Sequence, residues 1–275
     1  MNKRNKWLML QILTTVSYLF MITINALANI LPINGVRTGD VTDAYPNLFA
    51  PAAVAFAIWG VIYMGLAIMI LYQLGLFKGK TGVNQEVFQR IGHYFWISSF
   101  ANVAWVISWH YQWIGLSLVF MIMILVSLIL ASVKLNAMDL TKKDHYLVRV
   151  PMSIYFGWIT VATIANVTVF LVSLGWNGWG LSDEFWIIVA IVAGVLISMA
   201  TAWRHQDIAY TFVIIWAYLN ILNKHLSIYS STGFDGQYPG IITTVSISLG
   251  VIVLVLGLIF INRKKVKLIV QDVIQ

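Results

Sequence analysis

Residues 46–77 read PNLFAPAAVAFAIWGVIYMGLAIMILYQLGLF, with no charged side chain among them. Pro46 and Pro51 mark a turn. From Ala52 onward the stretch is apolar for longer than the ~20 residues that a helix needs to cross a hydrocarbon core. Trp59 stands inside it, with Tyr63 four residues on. Membrane tryptophans usually sit at the headgroup belt, where the ring is buried and the indole N–H stays wet. At 1.5 Å rise per residue, Trp59 is about 10 Å below the start of the span. An indole at that depth needs a partner, because an unsatisfied polar group in hydrocarbon costs several kcal/mol.

The rest of the chain repeats this composition. Of 275 residues, 60% are hydrophobic and 10% charged, whereas a soluble domain carries about 25% charge. The chain reads as an all-α integral membrane protein, a helical bundle of about eight transmembrane helices. The expected spans are 7–30, 52–77, 92–111, 113–135, 148–174, 184–203, 207–226 and 240–262, the seventh diluted by Asn220, Asn223 and Lys224. With the N-terminus inside, all Lys and Arg except Arg37 and Lys224 fall in cytoplasmic segments, among them Lys78, Lys80, Lys264, Lys265 and Lys267. That bias sets both termini in the cytoplasm, in the plasma membrane. The net charge of +7 is therefore a topology signal and not a nucleic-acid footprint. Lys3, Arg4 and Lys6 with Ala26-Leu27-Ala28 resemble a cleavable signal, but the apolar stretch exceeds an h-region, so the reading is a retained helix. The absence of cysteine excludes disulfides and thiolate chemistry.

Two more sets lie deep in apolar spans: Asn102 with Trp105, and Trp158, Ala162 and Asn166 at successive i,i+4 steps. Each set shares one helix face. Either they are interhelical packing groups or they line a ligand cavity beneath the Gly/Pro-rich loop at about 31–51. A second such loop is expected at about 227–239. Every Asp and Glu lies in a loop or at a span end, which argues against ion coupling through a buried carboxylate. The histidines are scattered and no metal motif is present. His110, near Trp109 and Trp113, is the candidate axial contact for a haem. Trp203 to Asp207 reads as an inner-interface turn or a charged gate, and Trp216 with Asn220 as packing or an extension of the cavity.

Pro46-x4-Pro51-x7-Trp59-x3-Tyr63 resembles the first-loop and second-helix signature of the TspO/MBR family of tryptophan-rich sensory or translocator proteins. Asn102-x2-Trp105 is similar to that family's third-helix motif, and Trp158-x3-Ala162-x3-Asn166 to its fifth. The resemblance implies a TspO-like five-helix ligand-binding bundle over 1–176, followed by three additional helices and a basic tail over 177–275. It implies pocket residues Pro51, Trp59, Tyr63, Asn102, Trp105, Trp158, Ala162 and Asn166. The implied ligand is a porphyrin, haem-related tetrapyrrole or similar flat apolar molecule, with no required cofactor. The expected partners are the lipid bilayer, that ligand and a second copy of the chain. Three functions stay open: a receptor or carrier with sensory output, a passive or secondary transporter, and a porphyrin-degrading enzyme. The chain departs from the family in its three extra spans, in Leu48-Phe49-Ala50-Pro51 where Trp-x-Pro-Pro is expected, and in Pro151, seven residues before Trp158 where four is usual. At the family's sterol-recognition segment it has Ala165-Asn166-Val167. A looser sterol pattern, Leu66, Tyr72 and Lys78, occurs elsewhere.

Overall fold

A computed structural model describes residues 2–77, 79, 82–228 and 233–274, with side chains as far as Arg263. Lys78 and Lys80, and with Lys78 the loose sterol pattern, lie outside the described residues. So do part of the 227–239 loop and the side chains of Lys264, Lys265 and Lys267. The long helices are α1 (Lys3–Ile30), α3 (Ile58–Gln73), α4 (Gln85–His110), α5 (Ile114–Asn136), α7 (Val150–Ser173), α8 (Asp183–His205), α9 (Ile208–Leu226) and α10 (Pro239–Ile274). Two short ones, α2 (Thr38–Ala44) and α6 (Lys142–Asp144), cap loops. A π-helical turn, His145–Arg149, joins α6 to α7. Pro151 follows it and has no N–H for the carbonyl four residues back, so the wider turn absorbs the missing bond.

Six helical runs are long and apolar enough to cross a membrane: Lys3–Ile30, Ala53–Gln73, Ile114–Asn136, Lys142–Ser173, Asp183–His205 and Pro239–Arg263. The protein is a helical membrane protein. The other two expected spans are also helices of spanning length, but polar residues dilute them. In α4 these include His93, Ser98, Ser99 and Asn102, and in α9 Asn220, Asn223, Lys224 and His225. α4 also starts earlier than hydropathy suggests. Its first turns are an amphipathic surface, where Arg90 meets Glu86 at 2.8 Å.

The chain forms two compact units, one of Met1–Asn47 with Phe56–Trp176 and one of Leu48–Ala55 with Asn177–Gln275. In the first, α1 packs on α4, α4 on α5, α5 on α7, α7 on α3 and α3 on α1. Five helices thus close a ring, and in an odd ring of alternating helices one neighbouring pair must run parallel. That pair is α1 and α4. Leu10 lies beside Gly92, and further along both helices Asn25 bonds Asn102. α3 runs antiparallel to α7, with Gly65 against Pro151 so closely that an added Cβ would stand 3.3 Å from the proline Cβ.

The end of this ring remote from α2 is fixed by a buried carboxylate. Asp144 is fully buried. It accepts from Tyr72 Oη at 2.9 Å, Asn84 Nδ2 at 3.0 Å and Thr141 Oγ1 at 2.8 Å. The last bond belongs to a capping box that starts α6, and together the three tie the ends of α3, α4 and α7.

In the second unit, α10 packs on both α8 and α9. Ser182 caps α8 through Phe185 N–H, and Asp207 caps α9 through Tyr210 N–H, each satisfying a donor that the first turn leaves open. Arg263 donates to the carbonyl of Gln206. Trp203 to Asp207 is accordingly a turn tied to α10.

Candidate functional site

Trp59 is the centre of an aromatic cluster inside the five-helix unit. Its ring stacks on Tyr63 at 5.4 Å between centroids and on Trp105 at 6.2 Å. It meets Tyr155 tilted at 6.2 Å and Trp158 edge-on at 6.2 Å. Trp105 passes the stack on to Trp109 at 5.9 Å, and Trp158 is backed by Phe56 at 5.9 Å. Offset-stacked and edge-to-face pairs in this range are favourable beyond the area they bury. The helical spacing explains the assembly. Trp59 and Tyr63 share a face of α3, Trp105 and Trp109 a face of α4, and Tyr155 and Trp158 a face of α7.

The polar groups of the cluster are largely matched to one another. Trp105 Nε1 donates to Asn166 Oδ1 at 3.1 Å, and Asn166 Nδ2 donates to the Ala162 carbonyl at 2.9 Å. Ala162 thus enters through its backbone. Asn25 Nδ2 donates to Asn102 Oδ1 at 2.7 Å, and Asn102 Nδ2 reaches Tyr155 Oη at 3.5 Å. Two buried donors are left over: neither Tyr63 Oη nor Trp158 Nε1 has a partner among the described residues.

Beside the cluster, a groove of about 540 Å³ opens between α1 and α3, with Ile22, Asn25, Asn29, Trp59, Gly60 and Tyr63 among its walls. Gly60 leaves its floor open, since a Cβ there would meet nothing within 4 Å. The volume lies within the range of about 300–1,000 Å³ typical of small-molecule sites.

Over one end of α4 sits the α2 loop. Trp109 Nε1 donates to the Thr38 carbonyl at 3.1 Å, and Asn34 Nδ2 donates to the His110 carbonyl at 3.0 Å. His110 is fully buried, with Nδ1 on the Val106 carbonyl at 2.8 Å and Nε2 facing Thr38 Oγ1 at 3.4 Å. Because a carbonyl only accepts, Nδ1 carries the proton and Nε2 takes the threonine hydroxyl. Nδ1 is thus held by its own helix and Nε2 by the loop.

Of the eight residues expected from sequence, Trp59, Tyr63, Trp105, Trp158, Ala162, Asn102 and Asn166 lie in the five-helix unit, linked by these contacts. Pro51 does not. It is buried in the second unit, where its segment pairs with α9. The cluster also uses residues that sequence reading passed over. Tyr155 is three residues before Trp158 and so on its face, a legible signal. Phe56 and Gly60 carry none.

A family model described as TSPO-like protein matches residues 11–260. No curated protein and no solved structure matches the chain.

Proposed function

The chain belongs to the TSPO-like protein family, and from that premise we propose that it is a membrane receptor or carrier for flat, largely apolar ligands of the tetrapyrrole class. The supporting observation is the groove between α1 and α3, whose wall is the outer face of the Trp59 cluster. An indole and a phenol stacked on each other present a flat apolar surface, which suits a planar macrocycle.

In this reading the groove lies in the extracytoplasmic half of a plasma-membrane protein whose termini are both cytoplasmic, and ligand occupancy is read out as a sensory or regulatory signal. Titration of the purified protein with protoporphyrin IX tests the reading. Saturable quenching of tryptophan fluorescence, weakened when Trp59 and Trp105 are both replaced by Phe, supports it. An affinity unchanged in that double variant contradicts it.

A further inference from the structure

The groove between α1 and α3 belongs wholly to the five-helix unit, and most of its polar lining comes from α1. Asn25 and Asn29 stand four residues apart on that helix, so they share a face. Asn25 is only 8% exposed. Ile30 ends α1, so at 1.5 Å per residue Asn25 lies about 8 Å down the helix.

The orientation of the Asn25 amide is fixed by its neighbours. Its Nδ2 donates to the Met21 carbonyl at 2.9 Å and to Asn102 Oδ1 at 2.7 Å. A carbonyl only accepts, so the atom facing Met21 is the nitrogen. Asn102 is held in turn, because the atom facing that donor must be its oxygen, and its Nδ2 reaches Tyr155 Oη at 3.5 Å. Both amide hydrogens of Asn25 are therefore spent inside the ring. The polar group it has left for the groove is its oxygen. Asn29 Nδ2 gives one hydrogen to the Asn25 carbonyl at 2.9 Å and keeps its oxygen and one N–H. The hydroxyls of Thr23 and Tyr63, also on the walls, donate or accept alike.

Among the described residues that line the groove, none carries a charge. An ionised carboxylate inside it would be buried without a counter-ion, which costs far more than burying a neutral polar group that finds a hydrogen bond. We infer that the groove selects neutral flat ligands whose edge carries an O–H or N–H, donated to Asn25 Oδ1. Asn25 is then the specificity-determining residue, and Met21 and Asn102 hold its amide oriented. Any carboxylate that a ligand bears stays outside the groove, in water. This selectivity rests on the function proposed above, since it takes the groove as the ligand site.

Hydroxypyrene, methoxypyrene and pyrenecarboxylate, substituted at the same carbon, vary the polar group on one flat apolar ring system. Near pH 7 the phenol is neutral and the carboxylic acid ionised. Each is titrated into the purified protein, and binding is read as quenching of tryptophan fluorescence. The native protein should bind hydroxypyrene about fivefold more tightly than methoxypyrene, the worth of one hydrogen bond. Pyrenecarboxylate should bind at least about tenfold more weakly than hydroxypyrene. Asn25→Leu/Asn102→Leu removes both partners of the buried bond together, and in it the two neutral probes should bind equally. Equal affinities for the two neutral probes in the native protein would overturn the inference, whether or not the double variant folds. So would a preference for hydroxypyrene that survives in the folded double variant. Gly60→Leu tells this failure from that of the site. Probes that it excludes, but that show no preference for a donor, overturn the donor rule alone. Probes that it leaves bound overturn the groove as the ligand site, and the donor rule with it.

Discussion

Trp105 on α4 donates its indole N–H to the side-chain oxygen of Asn166 on α7, at 3.1 Å. Both residues stand out in the sequence as polar groups too deep in the membrane to be left alone, and they answer one another. Replacing Asn166 by Leu strands a buried N–H, at a cost of about 1–3 kcal/mol. Replacing Trp105 by Phe removes the donor and its partner's bond together. In thermal unfolding in detergent, the Trp105→Phe/Asn166→Leu pair is expected to cost less than the sum of the singles, with a coupling near 1 kcal/mol, inside the spread found for membrane hydrogen bonds. Strict additivity would mean that the bond does not form.

Gly65 sets how closely α3 approaches α7. An alanine there brings a Cβ to 3.3 Å from Pro151. A shift of a few tenths of an ångström accommodates it, and the helix propensity gained is up to ~1 kcal/mol. Gly65→Ala is therefore expected to unfold within a few degrees of the native protein. Gly65→Leu cannot be accommodated so easily and should lose about 1–3 kcal/mol by overpacking. It should also alter tryptophan fluorescence, because the same helix pair carries Trp59 and Trp158.

Asp144→Asn probes the opposite end of the ring. The native carboxylate accepts from Tyr72, Asn84 and Thr141. An amide turns one of the accepting oxygens into a donor, which then faces donors. Hydrogen bonds to a charged group are worth about 1.5–3 kcal/mol each, so a loss of roughly 2–3 kcal/mol is expected in the melting curve. Tyr72→Phe removes a single bond and should cost less.

Much of this arrangement is legible in the sequence, and the parts that are not share a cause. Trp59 with Tyr63, and Trp158 with Asn166, follow from helical spacing, since residues four apart on one helix must share a face. Which helix each face meets does not follow. The pairing of Asn25 with Asn102, and of Trp105 with Asn166, depends on the closing of a five-membered ring, and no periodicity in one strand of sequence records it. Pro51 shows the same limit. The resemblance implies a place in the pocket, but its segment is held through its backbone carbonyls and N–H by Trp216, Asn220 and His225 of α9, and a loop gripped by its backbone leaves no pattern in its own side-chain types. α4 blurs at its start because hydropathy cannot distinguish an amphipathic helical turn from a loop.

The central claim is that a flat apolar ligand occupies the groove between α1 and α3, and Gly60→Leu tests it most directly. The added side chain meets no atom of the protein within 4 Å of its Cβ, and leucine is the better helix former by ~1 kcal/mol, so the fold is kept while the groove is filled. Titrated with protoporphyrin IX, the native protein should show saturable quenching of tryptophan fluorescence. Gly60→Leu, melting at or above the native temperature, should lose that affinity by at least about tenfold, the loss expected when a bulky side chain takes a ligand's place. Native affinity in a correctly folded Gly60→Leu protein would show that the ligand does not bind in this groove.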